Sequence, residues 1–165
     1  MLFVKQFSDP SIIEIGCGVG QFAQYLYDEG FRNYRGMDFS PHAIELARKR
    51  AKQDFFQADA TNARSFPEHY SLAVSLETLE HIDNDLDVLR NIRSGIPLIF
   101  SLPKFDCEGH VRCFKKRKAI KRRYLSCLDI KRIVDINRWH VGWGIVNHIR
   151  PGLLQRLFGK RKLTF

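Results

Sequence analysis

Glu14-Ile15-Gly16-Cys17-Gly18-Val19-Gly20 is the stretch on which the fold turns. The run before it, Ser11-Ile12-Ile13-Glu14-Ile15, is short, apolar and ends at glycines, the pattern of a buried strand. After it, Phe22, Ala23, Leu26 and Tyr27 recur at helical spacing from Val19 to Glu29, and Gly30 is placed to end that helix. A strand, a glycine loop and a helix in this order bring backbone close under a ligand. The start of the helix offers free N–H groups to it. A dinucleotide-binding loop reads G-x-G-x-x-G. This one reads G-x-G-x-G, with Gln21 where the third glycine would stand. Glu14 would repel a pyrophosphate and suits a cationic ligand instead.

Working outward, Tyr34–Met37 is a second strand ending at Asp38, followed by a Ser40 cap, Pro41 and a helix with Ile44, Ala47 and Ala51 on one side. Asp54–Gln57 is a third strand leading to Asp59, and Ser71–Leu76 a fourth. A helix is expected over Asn84–Ile92 with Asp83 as its cap, then a fifth strand over Ile96–Leu102. A basic helix is expected over Lys115–Tyr124, then two late strands, Leu128–Ile136 and Trp143–Ile149, as a hairpin. Alternating strands and helices predict an α/β fold: a doubly wound, mostly parallel, Rossmann-like sheet with a late antiparallel hairpin. In such sheets ligands sit outside the carboxyl ends of the strands.

Asp38 stands twenty residues after Gly18, where a carboxylate can accept both ribose hydroxyls of an adenosine. Asp59, in Gln57-Ala58-Asp59-Ala60, could accept from an adenine amino group. S-adenosylmethionine carries an ammonium and a sulfonium, has no phosphate, and fits three acids at successive strand ends. Glu14–Gly20, Asp38, Asp59 and Ser75-Leu76-Glu77-Thr78-Leu79-Glu80-His81 together resemble the ordered motifs of class I methyltransferases, over about residues 11–103. The resemblance implies that the glycine loop (Glu14, Gly16, Cys17, Gly18, Gly20) holds the methionine part. It likewise implies that Asp38 with Phe39 holds the ribose, and Asp59 with Ala60 the adenine, with Leu76 also at the cofactor. Two features depart from the family. Ser71 replaces a frequent acid, and only Met1–Pro10 precedes the first strand, where many relatives carry a helical segment.

Glu77, Glu80 and His81 follow the fourth strand. If Glu77–His81 is a turn of helix, Glu77 and His81 share a face at i, i+4 and can act as a general base with its orienting partner. Two carboxylates and an imidazole could also hold a divalent metal, magnesium or manganese. The pattern is similar to that of ubiquinone-pathway O-methyltransferases and of enzymes methylating the 3′ end of small RNAs, which implies a metal set of Glu77, Glu80 and His81, completed by His110 or Asp106. The alternative is that Glu77 and His81 only line the pocket. In Lys104–Arg112, His110 and Arg112 could bind an acidic acceptor or act in catalysis, or belong to a surface turn around Gly109. Trp139 and Trp143 read as core.

The charge is lopsided. Residues 1–103 carry a net −4 and residues 104–165 a net +13, within a total of +9. The basic half could meet RNA, an anionic membrane surface or an acidic ligand, or be a solvated face. The four cysteines, Cys17, Cys107, Cys113 and Cys127, form no C-x-x-C pair, and no secretion signal or membrane span is seen, which fits a reducing cytoplasm. The expected organisation is a methyltransferase domain over 1–150 and a basic tail over 151–165. The expected activity is methyl transfer from S-adenosylmethionine to an oxygen, secondarily a nitrogen, of a small-molecule acceptor. The alternatives are a metal-assisted RNA 2′-O-methyltransferase and a non-catalytic subunit of the same fold, and an oligomer is compatible with each.

Overall fold

The structure is a computed structural model and describes residues 3–148; the expected tail at 151–165 lies outside the described residues. Seven strands form one sheet: β1 (Ile12–Ile15), β2 (Tyr34–Asp38), β3 (Asp54–Gln57), β4 (Leu72–Leu76), β5 (Pro97–Pro103), β6 (Leu128–Ile136) and β7 (Trp139–Val146). Their order is β3-β2-β1-β4-β5-β7-β6. The first five run parallel, and β7 lies antiparallel between β5 and β6. The expected doubly wound sheet with a terminal hairpin is therefore present.

Side chains alternate across the strands, and each neighbouring pair supplies both faces. Ile12, Leu72, Val74 and Ile99 pack with Ala23 and Leu26 of α1 (Gln21–Asp28) and with Ile44 and Ala47 of α2 (Pro41–Arg50). Ile13, Ala73, Leu98 and Phe100 pack with Val88 and Leu89 of α3 (Asp85–Asn91) and with Ile120 and Tyr124 of α4 (Arg117–Tyr124). Each fully buried aliphatic chain contributes about 1.5–3 kcal/mol of apolar transfer. Ser40 caps α2 by accepting from Ala43 N–H at 3.2 Å, with Pro41 at the first helical position, as expected.

Three element boundaries differ from expectation. β7 starts at Trp139, four residues before the expected Trp143, and runs through Gly142 and Gly144. Those glycines are spatial requirements: a Cβ on Gly142 would meet Phe100 at 2.6 Å, and one on Gly144 the Asp129 carbonyl at 2.6 Å. Asn84, not Asp83, occupies the cap of α3. The basic helix begins at Arg117, because Lys116 is extended and Phe114 N–H bonds the Pro103 carbonyl at 3.0 Å. α3 and α4 are joined by the buried Asp85 carboxylate, which accepts from Arg123 at 2.6 and 2.8 Å and from the Tyr124 hydroxyl at 2.8 Å. No helix among the described residues is long and apolar enough to cross a membrane.

Candidate functional site

Crossovers leave β1 and β4 in opposite directions, and a crevice opens at the carboxyl ends of the strands between them. A cavity of about 400 Å³ lies there. Gly16, Asp38, Phe39, Asp59, Ala60 and His81 line it together with Thr78. The Asp38 carboxylate is oriented by two backbone donors, Gly18 N–H and Ser40 N–H, each at 2.9 Å and each on a different oxygen. A carboxylate offers about four acceptor positions, so each oxygen keeps one for a ligand. One Asp59 oxygen accepts from Thr61 N–H and Oγ1, both at 2.8 Å, and these bonds hold its pKa below the usual range. Phe39 is 77% exposed at the cavity wall.

Gly16 has φ of +72°, and a Cβ there would lie 2.3 Å from the Thr78 side chain. Thr78, in turn, donates to a carbonyl of the β1 or β4 end, with Leu76 at 3.0 Å and Ile15 at 3.2 Å. Sequence reasoning missed Thr78; its signal is only its place two residues after β4. Four of the loop's N–H groups bond within the protein. Gly16 and Cys17 donate to the Met37 carbonyl, Gly18 to Asp38 and Gly20 to the Cys17 carbonyl. Cys17 is buried, and desolvation raises its thiol pKa. Glu14 lies buried beneath the loop, where it accepts from the Tyr34 hydroxyl, and burial pushes its pKa up to about 7. Neither of these two nor Gly18 and Gly20 lines the cavity.

The helical reading of Glu77–His81 needs correction. Only Leu79–His81 forms a 3₁₀ turn, and Glu77 has φ of +51°, so Glu77 and His81 do not share a helix face. Left-handed backbone at a non-glycine residue is strained and concentrates at functional sites. The Glu77 carboxylate accepts from Ser101 Oγ at 2.6 Å and from Trp139 Nε1. The residues whose ligating atoms do gather, all within 4.8 Å of one another, are Glu80, His81 and His110. Glu77 is thus replaced in the expected metal trio by His110, and Asp106 stays exposed outside it. Glu80 is fully buried with no hydrogen-bond partner on either oxygen among the described residues, and burial first, then the neighbouring Glu77, push its pKa up to about 8. His110 Nδ1 is also buried without a partner among the described residues. His81 Nδ1 donates to the Gly109 carbonyl at 2.9 Å, which leaves Nε2 as the acceptor in the neutral ring.

Arg112 was expected either to contact an acidic acceptor or act in catalysis, or to belong to a surface turn. Instead it donates to the carbonyls of Leu79, Ile82 and Asp83 and lies 3.3 Å from Asp85, tying the loop after β5 to the loop after β4. A second cavity, of about 470 Å³, adjoins Glu77. Its walls are mostly apolar, including Phe22, Tyr25, Leu76, Ile99, Trp139 and Val141, with Ser101 and Glu77 as polar points. Leu76 faces this cavity rather than the first. Trp139 is not simply core: it walls the cavity and holds Glu77.

Comparison with known proteins gives a consistent picture. Residues 1–141 match the family described as a methyltransferase domain. An eEF1A lysine and N-terminal methyltransferase homolog of Drosophila melanogaster is 31% identical over 103 residues, 51% of this chain and 15% of that protein. A ubiquinone biosynthesis O-methyltransferase of Yersinia pestis is 28% identical over 88 residues, 50% of this chain and 36% of that protein. The matches thus cover well under half of either relative. In fold, the chain is similar to the N-methyltransferase NodS of Bradyrhizobium japonicum, solved with S-adenosyl-L-homocysteine: TM-score 0.66, 20% identity, covering 84% of this chain and 79% of that one.

Proposed function

The chain belongs to the class I S-adenosylmethionine-dependent methyltransferase domain family, and from that premise we propose that it methylates an oxygen, or secondarily a nitrogen, of a small-molecule acceptor. The observation that carries the cofactor assignment is the first cavity itself. It combines Asp38, with free acceptor positions, the Asp59 carboxylate, the exposed Phe39 ring and a glycine loop in which the Gly16, Cys17, Gly18 and Gly20 N–H groups are taken up within the protein. Those features suit a nucleoside that carries positive charge and no phosphate. In this reading Asp38 accepts the ribose hydroxyls, Phe39 covers the sugar and base, Asp59 with Ala60 faces the adenine, and Gly16 admits the methionine part. Glu14, Cys17, Gly18 and Gly20 act indirectly, by shaping the loop and fixing Asp38. When bound, S-adenosylmethionine supplies an electrophilic sulfonium methyl.

The acceptor is assigned to the second, apolar cavity, which favours a body with aromatic or aliphatic surface. Glu77, held from two sides, accepts a hydrogen bond from the acceptor and orients it. His81 Nε2, which lines the cofactor cavity, would take the proton of an acceptor whose reacting atom reaches from the second cavity into the first. Holding both partners in line supplies much of the rate. A second reading is favoured by the Glu80, His81 and His110 grouping: those residues would hold a divalent ion that polarises the acceptor oxygen. Methyl transfer to a panel of phenols, catechols and amines, with and without chelator, tests both. Transfer that survives chelation supports His81 as base; transfer lost in chelator and restored by magnesium or manganese supports the ion; no transfer to any phenol or catechol counts against an O-acceptor. Four cysteines without a disulfide are compatible with the cytoplasm.

A further inference from the structure

The far edge of the sheet carries a feature that methyl transfer does not use. α4 and β6 enclose a groove of about 420 Å³ lined by Arg117, Lys118, Lys121, Lys131, Arg132 and Ile133. The helix supplies three of these cations, and the strand two that a regular strand would place on opposite faces. β6 achieves it with a register shift against β7 between Ile130 and Arg132, which leaves Lys131 as an extra residue. The burial alternation breaks there, and both Lys131 and Arg132 are exposed. Arg117 is paired with Asp135 at 2.8 Å and Lys131 with Asp129 at 2.6 Å. Lys118, Lys121 and Arg132 have no acidic partner among the described residues.

We propose that this groove binds the sugar–phosphate backbone of a nucleic acid. The groove's one apolar lining residue, Ile133, is buried, so it lacks the exposed apolar side chains that bilayer docking uses. Protein partners favour an apolar interface core depleted in lysine, and this groove has the reverse composition. Converging lysines and arginines are what phosphate contacts need, and they read no sequence. The groove is separated from the cofactor cavity by the width of the sheet between β4 and β6, so its occupancy is measured independently of methylation.

The test is fluorescence anisotropy of the full chain with a labelled single-stranded RNA of about 20 nucleotides, long enough for several phosphate contacts. Lys118→Glu/Lys121→Glu/Arg132→Glu is compared with Arg50→Glu/Lys52→Glu/Arg64→Glu, an equal charge change at exposed sites elsewhere. The wild type should bind at low salt, and the groove variant should lose at least about tenfold in affinity, with a log–log salt slope shallower by about 2. The control variant should lose less than about threefold. Equal losses in both variants, or no binding by the wild type, overturn the proposal. So does groove-dependent capture of phosphatidylserine vesicles without RNA binding. If the triple reversal fails to fold, Lys118→Gln/Lys121→Gln carries the same comparison, with a loss of about threefold or more expected against none for Arg50→Gln/Lys52→Gln.

Discussion

Glu14 is the residue whose role the sequence suggested least well. As an acid on a ligand-binding loop it looked like a contact for a cation; in the structure it is a buried partner of Tyr34 with a pKa near 7. The consequence is measurable. Its folded pKa lies above its unfolded value of about 4.5, so the native state binds the extra proton between those values. Stability from this group is complete below about pH 4.5 and is lost as pH rises through about 7, with a slope of up to about 1.4 kcal/mol per pH unit. Thermal melts should show that fall, and Glu14→Gln, which keeps an acceptor for Tyr34, should reduce it to the part that Glu80 contributes; an unchanged pH profile contradicts the assignment. At His81, replacement by alanine should lower turnover by about 10²-fold or more, the usual worth of a general base. Affinity for S-adenosylhomocysteine should change by less than about tenfold, and a parallel loss of both would make His81 a binding residue only.

At the scale of elements, what was legible followed from local chain signals. Gly16, Asp38 and Asp59 sit at ends of successive strands, and strand ends are fixed by short apolar runs and the glycines or caps after them. The pairings that complete the site are not local. Trp139 reaches Glu77 across 62 residues, Arg112 reaches Leu79 across 33, and Thr78 seats on Gly16 through the β1–β4 crossover. No periodicity encodes these, and the left-handed backbone of Glu77 has no glycine to announce it. The β6–β7 hairpin was foreseen, but β7 begins four residues before the expected Trp143 and runs through Gly142, whose missing side chain leaves the space that Phe100 fills. Two consequences follow at this scale. Arg112→Ala removes three carbonyl bonds and leaves Asp85 with less positive charge, and should lower stability by about 2–4 kcal/mol in denaturant unfolding. Trp139→Phe keeps the apolar wall and removes one donor to Glu77. It should lower kcat/KM for the acceptor by about tenfold, the scale of one charged hydrogen bond, while cofactor affinity stays level. Equal kinetics in the variant and wild type would remove Glu77 from the acceptor site.

For the whole molecule, charge and chemistry are divided across one sheet. The acidic first half builds the crevice at the β1–β4 switch, and the basic second half builds the hairpin edge and α4. The division follows from chain order, since strands β1 to β4 come from the first half and β6 and β7 from the second. The central claim concerns the crevice, and calorimetric titration of S-adenosylhomocysteine into the wild type and Asp38→Ala tests it most directly. The account predicts one site per chain in the wild type and a loss of about 1.5–3 kcal/mol of binding free energy in the variant, the worth of a hydrogen-bonded charged acceptor. It also predicts no detectable heat with a nicotinamide dinucleotide. Unchanged affinity in Asp38→Ala, or tighter binding of the dinucleotide, would contradict it.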